Sequence, residues 1–239
     1  MLRVTLLSGE EVTSLPLTEL SDVKALKQRL HQQHGLPPRF RQRLLHEDST
    51  LGDDVQLDSA MDLQLLIVDF DKGAEVVRLD LYDAAGLGNL TQVERMLQLP
   101  MDPDIYEDEF VQGQISILSH ASENGQADVV QLLLEAGADK NLCDMHGCSP
   151  LLNAAKIGHT PVVRLLLEAG ALVDLPNSGG RTALMCAASE GHQAVLQLLL
   201  EAGAHKDARD NRGNTALIYS AMGGHARVAE LLLEAGADK

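Results

Sequence analysis

The chain predicts an α+β protein in two parts: a compact strand-and-helix segment over residues 1–70, then an all-α solenoid of about five repeated helix pairs over residues 79–239. Three observations carry this reading. The string Leu-Leu-Leu-Glu-Ala-Gly-Ala recurs at 132–138, 165–171, 198–204 and 231–237, a constant step of 33 residues. A fixed period of that length is the mark of a stacked repeat architecture. The first seventy residues lack the period and alternate apolar with polar positions instead. Finally, 45% of residues are apolar but only 3% are aromatic and Trp is absent, so the core is built from Leu, Val, Ile and Ala.

In the leading segment, Leu2, Val4 and Leu6 alternate as in a half-buried strand, and Ser8-Gly9-Glu10 turns the chain before Val12. Residues 20–34 read as a helix with Val23, Leu26 and Leu30 on one face. Ser21 is its expected N-cap, and Gly35 with Pro37-Pro38 is its stop. Residues 41–46 and 63–68 read as further strands. The stretch SDVKALKQRLHQQHGLPPRFRQRLL and the later MDLQLLIV resemble ubiquitin-like domains, over residues 1–70. The resemblance implies a β-grasp fold and places that family's apolar surface patch on Leu7, Leu45 and Leu66, each of which has a core role as its alternative. After Val68 comes Asp69-Phe70-Asp71-Lys72 with no Gly-Gly, which implies an internal module that is not conjugated through its own end. Residues 71–78 form a short junction with one Gly and no Pro, predicting a tight connection to the repeats.

Within each repeat, Ser116, Ser149, Thr182 and Thr215 fall where a helix N-cap belongs, and Pro150 follows at a first helical position. Gly125, Gly158, Gly191 and Gly224 end the short first helix in a left-handed turn, again 33 apart. A Leu-rich second helix follows, carrying Val163, Leu165, Leu166 and Leu167 in one unit, and Gly170 closes it. Small residues on the first helix and leucines on the second let neighbours stack and bury a face that no unit buries alone. The units GCSPLLNAAKIGHTPVVRLLLEAGA, GRTALMCAASEGHQAVLQLLLEAGA and GNTALIYSAMGGHARVAELLLEAGA closely resemble ankyrin repeats. ISILSHASENGQADVVQLLLEAGA fits with Gln126 in place of His. A degenerate first unit, LYDAAGLGNLTQVERMLQ, fits at an offset of 37 from Gly88 to Gly125, the added residues lying in the acidic stretch PMDPDIYEDEF. The expected units are 79–112, 113–145, 146–178, 179–211 and 212–239. The last ends at Asp238-Lys239 without a polar cap, which predicts a natural chain that continues.

The chemistry-bearing residues are sparse. With 19 Lys and Arg against 35 Asp and Glu, the net charge of −16 repels phosphate backbones, so nucleic acid is not an expected partner. No apolar run approaches the ~20 residues of a membrane helix, so direct membrane insertion is not expected. Three cysteines without framework spacing predict a reducing, cytoplasmic location, the nucleus remaining open. No phosphate-loop, zinc-protease, hydrolase-elbow or paired Cys-x-x-Cys motif occurs. Cys143 and Cys148 with His146 lack a fourth zinc ligand, and His31 and His34 read more economically as part of a solvated helix. His159, His192 and His225 recur at the repeat step, so each serves its unit by hydrogen-bonding backbone. The acidic run 102–109, with Tyr106 and Phe110, reads as a solvated finger. The expectation is a non-enzyme with no catalytic residue, metal or cofactor.

The ankyrin resemblance implies protein partners held on a concave surface of finger tips and first-helix residues. Matched unit by unit, the finger positions are Met145, His146 and Cys148, then Ser178, Gly179 and Arg181, then Asn211, Arg212 and Asn214. The matching helix-end positions are Lys156 and Ile157, Ser189 and Glu190, Met222 and Gly223. These residues change between units while the framework repeats, which reads as recognition on a constant scaffold or as drift on a solvated surface. The leading function is an interaction scaffold or adaptor. The alternatives are a ubiquitin-pathway effector delivering a client through its first domain, and a regulatory fragment of a longer protein.

Overall fold

The computed structural model describes residues 2–6, 8, 10–16, 20–47, 49–57, 61–67, 75–99, 103–104 and 115–238. The chain divides into two compact units. One is residues 1–74 with the stretches 97–102 and 135–137, and the other is 75–96, 103–134 and 138–239.

In the first unit the alternating residues form β1 (Leu2–Leu6), which pairs antiparallel with β2 (Glu11–Leu15). Helix α1 (Val23–His34) follows, then one 3-10 turn at Arg39–Arg41 and strands β3 (Gln42–His46), β4 (Ser49–Thr50) and β5 (Met61–Ile67). The sheet order is β2-β1-β5-β3-β4, with β1 and β5 parallel and every other pairing antiparallel. A mixed five-stranded sheet of this order is compatible with a β-grasp. Leu2, Val4, Leu44, Leu63 and Leu65 of the strands meet Val23, Leu26 and Leu30 of α1 in a single buried cluster. The period-2 and period-3.6 stripes read from the sequence therefore share one interior.

The start of α1 differs from expectation. The N-cap is Asp22, whose Oδ1 accepts the Ala25 N–H at 2.8 Å, while Ser21 Oγ donates to Asp22 Oδ2 at 2.8 Å. A carboxylate is the better acceptor beside the positive helix end. The bond from Ala25, then that from Ser21, hold the Asp22 carboxyl below its ordinary value. Gly35 ends the helix in the left-handed region at φ 63°, as its position predicts. Beneath the helix, Asp53 joins two buried cations, Lys27 Nζ at 2.6 Å and Arg39 Nη1 at 2.5 Å. Burial opposes ionisation of Asp53, but the hydrogen bond and charge of Lys27, together with Arg39, outweigh it and hold the carboxyl below its ordinary value.

The second unit is a succession of ten helices in five pairs among the described residues. They are α2 (Glu75–Gly86) with α3 (Leu90–Leu97), α4 (Ile117–Glu123) with α5 (Ala127–Glu135), and α6 (Pro150–Ile157) with α7 (Thr160–Glu168). The remaining pairs are α8 (Ala183–Glu190) with α9 (Gln193–Glu201), and α10 (Ala216–Met222) with α11 (Ala226–Glu234). Helix α2 begins inside the stretch expected to be junction. Each first helix packs on the next, α2 on α4, α4 on α6, α6 on α8 and α8 on α10. Ala154, Ala155, Ala187 and Ala188 are fully buried where these helices approach. On the second helices Val163 and Leu166 are buried whereas Leu165 and Leu167 are half-buried.

Ser116, Ser149, Thr182 and Thr215 are the N-caps, their hydroxyl oxygens accepting the N–H of Ser119, Leu152, Met185 and Ile218. The recurrent histidines bond backbone one unit back. His159 Nε2–H donates to the Glu123 carbonyl at 2.9 Å, His192 to Lys156 at 3.2 Å and His225 to Ser189 at 3.0 Å. Gln126 performs the same task in its unit, donating to Gly86 at 3.1 Å. Each imidazole lies against the preceding unit's glycine. A Cβ on Gly158 (φ 93°) would stand 2.7 Å from the His192 ring, and one on Gly191 (φ 80°) would stand 2.5 Å from that of His225. These glycines are needed both for the left-handed turn and for the close approach.

Candidate protein-binding surface

Asp144, Asn177 and Asp210, 33 residues apart, build the finger turns that carry the expected contact residues. In each turn a single side-chain oxygen accepts two backbone N–H groups. Asp144 Oδ1 takes those of His146 and Cys148, Asn177 Oδ1 those of Gly179 and Arg181, and Asp210 Oδ1 those of Arg212 and Asn214. These side chains fold the finger locally, as Asx residues do in turns. Successive fingers are joined by backbone: Ser178 N–H donates to the His146 carbonyl at 2.9 Å, and Asn211 N–H to that of Gly179 at 3.0 Å. The Asn211 side chain adds a bond to the Ser178 carbonyl at 3.0 Å.

On these fingers Met145, His146, Ser178, Gly179, Asn211 and Arg212 are exposed, whereas Cys148, Arg181 and Asn214 are half-buried. On the helix ends Lys156, Ile157, Glu190, Met222 and Gly223 are exposed and Ser189 is half-buried. Met145 is 57% and Met222 72% exposed, large apolar side chains presented to solvent. Lys156 and Ser189 also lend their carbonyls to the histidine bonds. Gly223 is a close-approach position, since a Cβ there would lie 2.7 Å from the Ser189 carbonyl oxygen.

The structure adds a row that the sequence reading missed: Asn153, Cys186 and Tyr219, again 33 apart, in the middle of the first helices. Each lies one helical turn before Lys156, Ser189 and Met222 respectively, on the same face. The Arg181 guanidinium stacks over the Tyr219 ring, 4.3 Å from its centroid. Tyr219 O–H donates to Asp210 Oδ2 at 2.6 Å. That bond, helped by the Asn214 and Arg212 N–H groups against desolvation, holds the Asp210 carboxyl at about 2. The same bond, with burial, pushes the Tyr219 phenol up. Arg181 and Lys156 both act on the Cys186 thiol, as do Cys148 and Glu190. The signal that would have found this row is the 33-residue step itself, applied to helix centres instead of helix ends.

The three thiols are free, and burial first, with neighbouring carboxylates second at Cys143 and Cys148, raises the thiols of Cys143 and Cys148; burial also raises that of Cys186. None is poised as a thiolate. His31 Nδ1 lies 2.6 Å from the Leu36 carbonyl, serving the end of α1. Among the described residues no group of three or more His, Cys, Asp or Glu is arranged to hold a metal ion. No described helix is long and apolar enough to cross a membrane.

In the first unit, Leu45 stands opposite Gln64 and Arg43 opposite Leu66, so Leu45 and Leu66 are diagonal neighbours on the sheet face away from the buried Leu44 and Leu65. Leu66 is 38% exposed and Leu45 half-buried. Leu7 lies outside the described residues, as does most of the acidic run, including Tyr106 and Phe110.

A search of curated proteins returned no match. A family model described as ankyrin repeats (3 copies) matches residues 81–177, 118–210 and 173–239, overlapping spans that together run from 81 to 239. Ankyrin repeats generally mediate protein–protein interaction and are typically non-catalytic. A match over more than half of its residues, on helix pairs tied at a 33-residue step, makes this chain a member of the ankyrin-repeat family.

Proposed function

We propose that the protein is a non-catalytic interaction scaffold of five ankyrin repeats, binding a partner protein through the surface made by its fingers and first helices. One observation carries this reading. Caps, glycines and histidines repeat unit after unit, whereas the accessible side chains on one face change from Met145 to Ser178 to Asn211 and from Lys156 to Ser189 to Met222. Exposed Met145 and Met222 supply apolar anchors, and Arg181 and Arg212 supply cations; Met and Arg are both enriched at interfaces. The test is affinity capture from source-cell lysate with wild type and the Met145→Ala/Arg181→Ala/Arg212→Ala variant. Partners held by wild type should be lost with a variant whose melting is unchanged; equal capture by both would sink the assignment.

The outward pair Leu45 and Leu66 favours a second role, in which a ubiquitin-like first domain engages a factor of the ubiquitin pathway. Apolar side chains on an otherwise polar sheet face offer a small docking patch. Capture repeated with Leu45→Ala/Leu66→Ala should lose ubiquitin-pathway proteins alone, and their retention would remove this second role.

A further inference from the structure

We infer that the face formed by Asn153, Lys156, Arg181, Tyr219 and Met222 takes an extended acidic peptide segment, with one carboxylate on Arg181 and an apolar side chain beside Met222. This rests on the ankyrin surface being the working one and adds the chemistry of its occupant.

Arg181 is the anchor of this face. Its backbone is fixed by Asn177, whose Oδ1 accepts the Arg181 N–H at 3.0 Å. Its guanidinium is fixed by the Tyr219 ring, so the fork is held before any ligand arrives. Yet it makes no ion pair among the described residues, and its buried Nε has no hydrogen-bond partner. Asp210, which bonds the same Tyr219, is already committed: it spends Oδ1 on two backbone N–H groups and Oδ2 on Tyr219 and Asn214. A stacked guanidinium with spare donors is the group that recognises a planar carboxylate.

A second group lies in the row of Tyr219. Asn153 is 8% exposed as a residue; among the described residues its side-chain amide has no hydrogen bond, and its amide atoms are not among the buried unpartnered ones, so they stay open to a ligand. A side-chain amide reached by solvent can donate to and accept from an extended backbone. Lys156, one turn on, is an exposed cation without an ion pair among the described residues. Met222, one turn after Tyr219, is an exposed apolar side chain.

The charge balance selects carboxylate over phosphate. The charges of Lys156 and Arg181 lower the Cys186 thiol and that of Glu190 raises it, on a chain of net charge −16. One forked cation in that field matches a monoanion; a phosphate dianion would meet the Glu190 carboxylate and an unfavourable long-range field.

The experiment pans a random twelve-residue phage-displayed peptide library on the full chain, then measures selected synthetic peptides by fluorescence anisotropy. Expected peptides carry one Asp or Glu in common and an apolar residue a few places away. Arg181→Gln should weaken them tenfold or more, whereas Arg164→Gln, an equal charge change on exposed α7, should leave affinity within twofold; both variants should melt with wild type. Raising salt from 50 to 500 mM should weaken binding severalfold. Amide shift mapping distinguishes the failures. Peptides that perturb α6, α8 and α10 but lack a shared acid, or ignore Arg181→Gln, overturn the inference and leave the surface assignment standing. Peptides that perturb other elements overturn both. A phosphopeptide binding tenfold tighter than its carboxylate counterpart, or a library that yields no binder, also overturns the inference.

Discussion

At the residue scale, two carboxylates show how much one side chain organises. Asp53 neutralises Lys27, which is 2% exposed and has no other carboxylate partner among the described residues. Replacing it leaves an ammonium in the interior, and breaking a buried pair from one side costs about 3–5 kcal/mol. Asp53→Ala is therefore expected to lower unfolding stability by about 3 kcal/mol in urea titration, more than Asp22→Ala, whose half-buried cap contributes about 1 kcal/mol. Asp210 makes a pH statement. Its folded value of about 2 lies below the ordinary 3.8, so its contribution is present above the ordinary value and is lost as pH falls through about 2. Tyr219→Phe removes the leading cause while keeping the ring. The Asp210 carboxyl, followed by NMR, should then titrate closer to 3.8, and the finger should loosen at a higher pH than in wild type. Neither carboxylate's role was legible beforehand, because an Asp among thirty-five acidic residues has no signature until the fold supplies its partners.

At the scale of elements, the repeat was legible because each framework residue answers a local demand. Caps at Ser149 and Thr182, left-handed glycines at 158 and 191, and histidines at 159 and 192 are set by the geometry of one turn and its neighbour. A second set of links was not read. Asn141, Asp174 and Asp207 accept the N–H groups of Leu172, His205 and Asp238 through their Oδ1 atoms, each 31 residues ahead. Asp104 does the same for Asp139 at a separation of 35, carrying the four added residues of the longer interval. The identities vary between Asn and Asp, which hid the ladder from a search for identical letters. The site was half legible for a related reason. Variable exposed tips stand out from a constant framework, but Cys186 and Asn153 are buried letters whose role depends on what the neighbouring unit brings. Two outcomes follow for the links between units. His192→Gln should cost less than His192→Ala, since Gln126 makes the same bond. The alanine variant should lose about 1–2 kcal/mol by thermal or urea unfolding. Gly158→Ala should cost about 2 kcal/mol or more, because the left-handed turn and the His192 ring both exclude a methyl group.

At the scale of the whole molecule, each helix pair after the first is registered on the one before by a ring or amide bonded to a helix-end carbonyl, and no described helix pair reaches past its neighbour with such a bond. Gly224 is where this pattern stops. It has the left-handed turn of its counterparts, φ 72°, but nothing within 4 Å of the place where they meet an imidazole. Ala221 is correspondingly exposed, whereas Ala155 and Ala188 are sealed. Among the described residues the α10–α11 pair is therefore held from one side. In a chain of nearest-neighbour couplings, a pair held from one side opens before the pairs held from both, α6–α7 and α8–α9. Amide protons of α10 and α11 should trade for deuterium faster than those of α6 to α9, in a staircase instead of all at once. Because Arg181 reaches across to Tyr219, whatever seats on that clamp would pin the last step of the staircase, and its arrival would be visible as slowed isotope uptake at the far end of the chain.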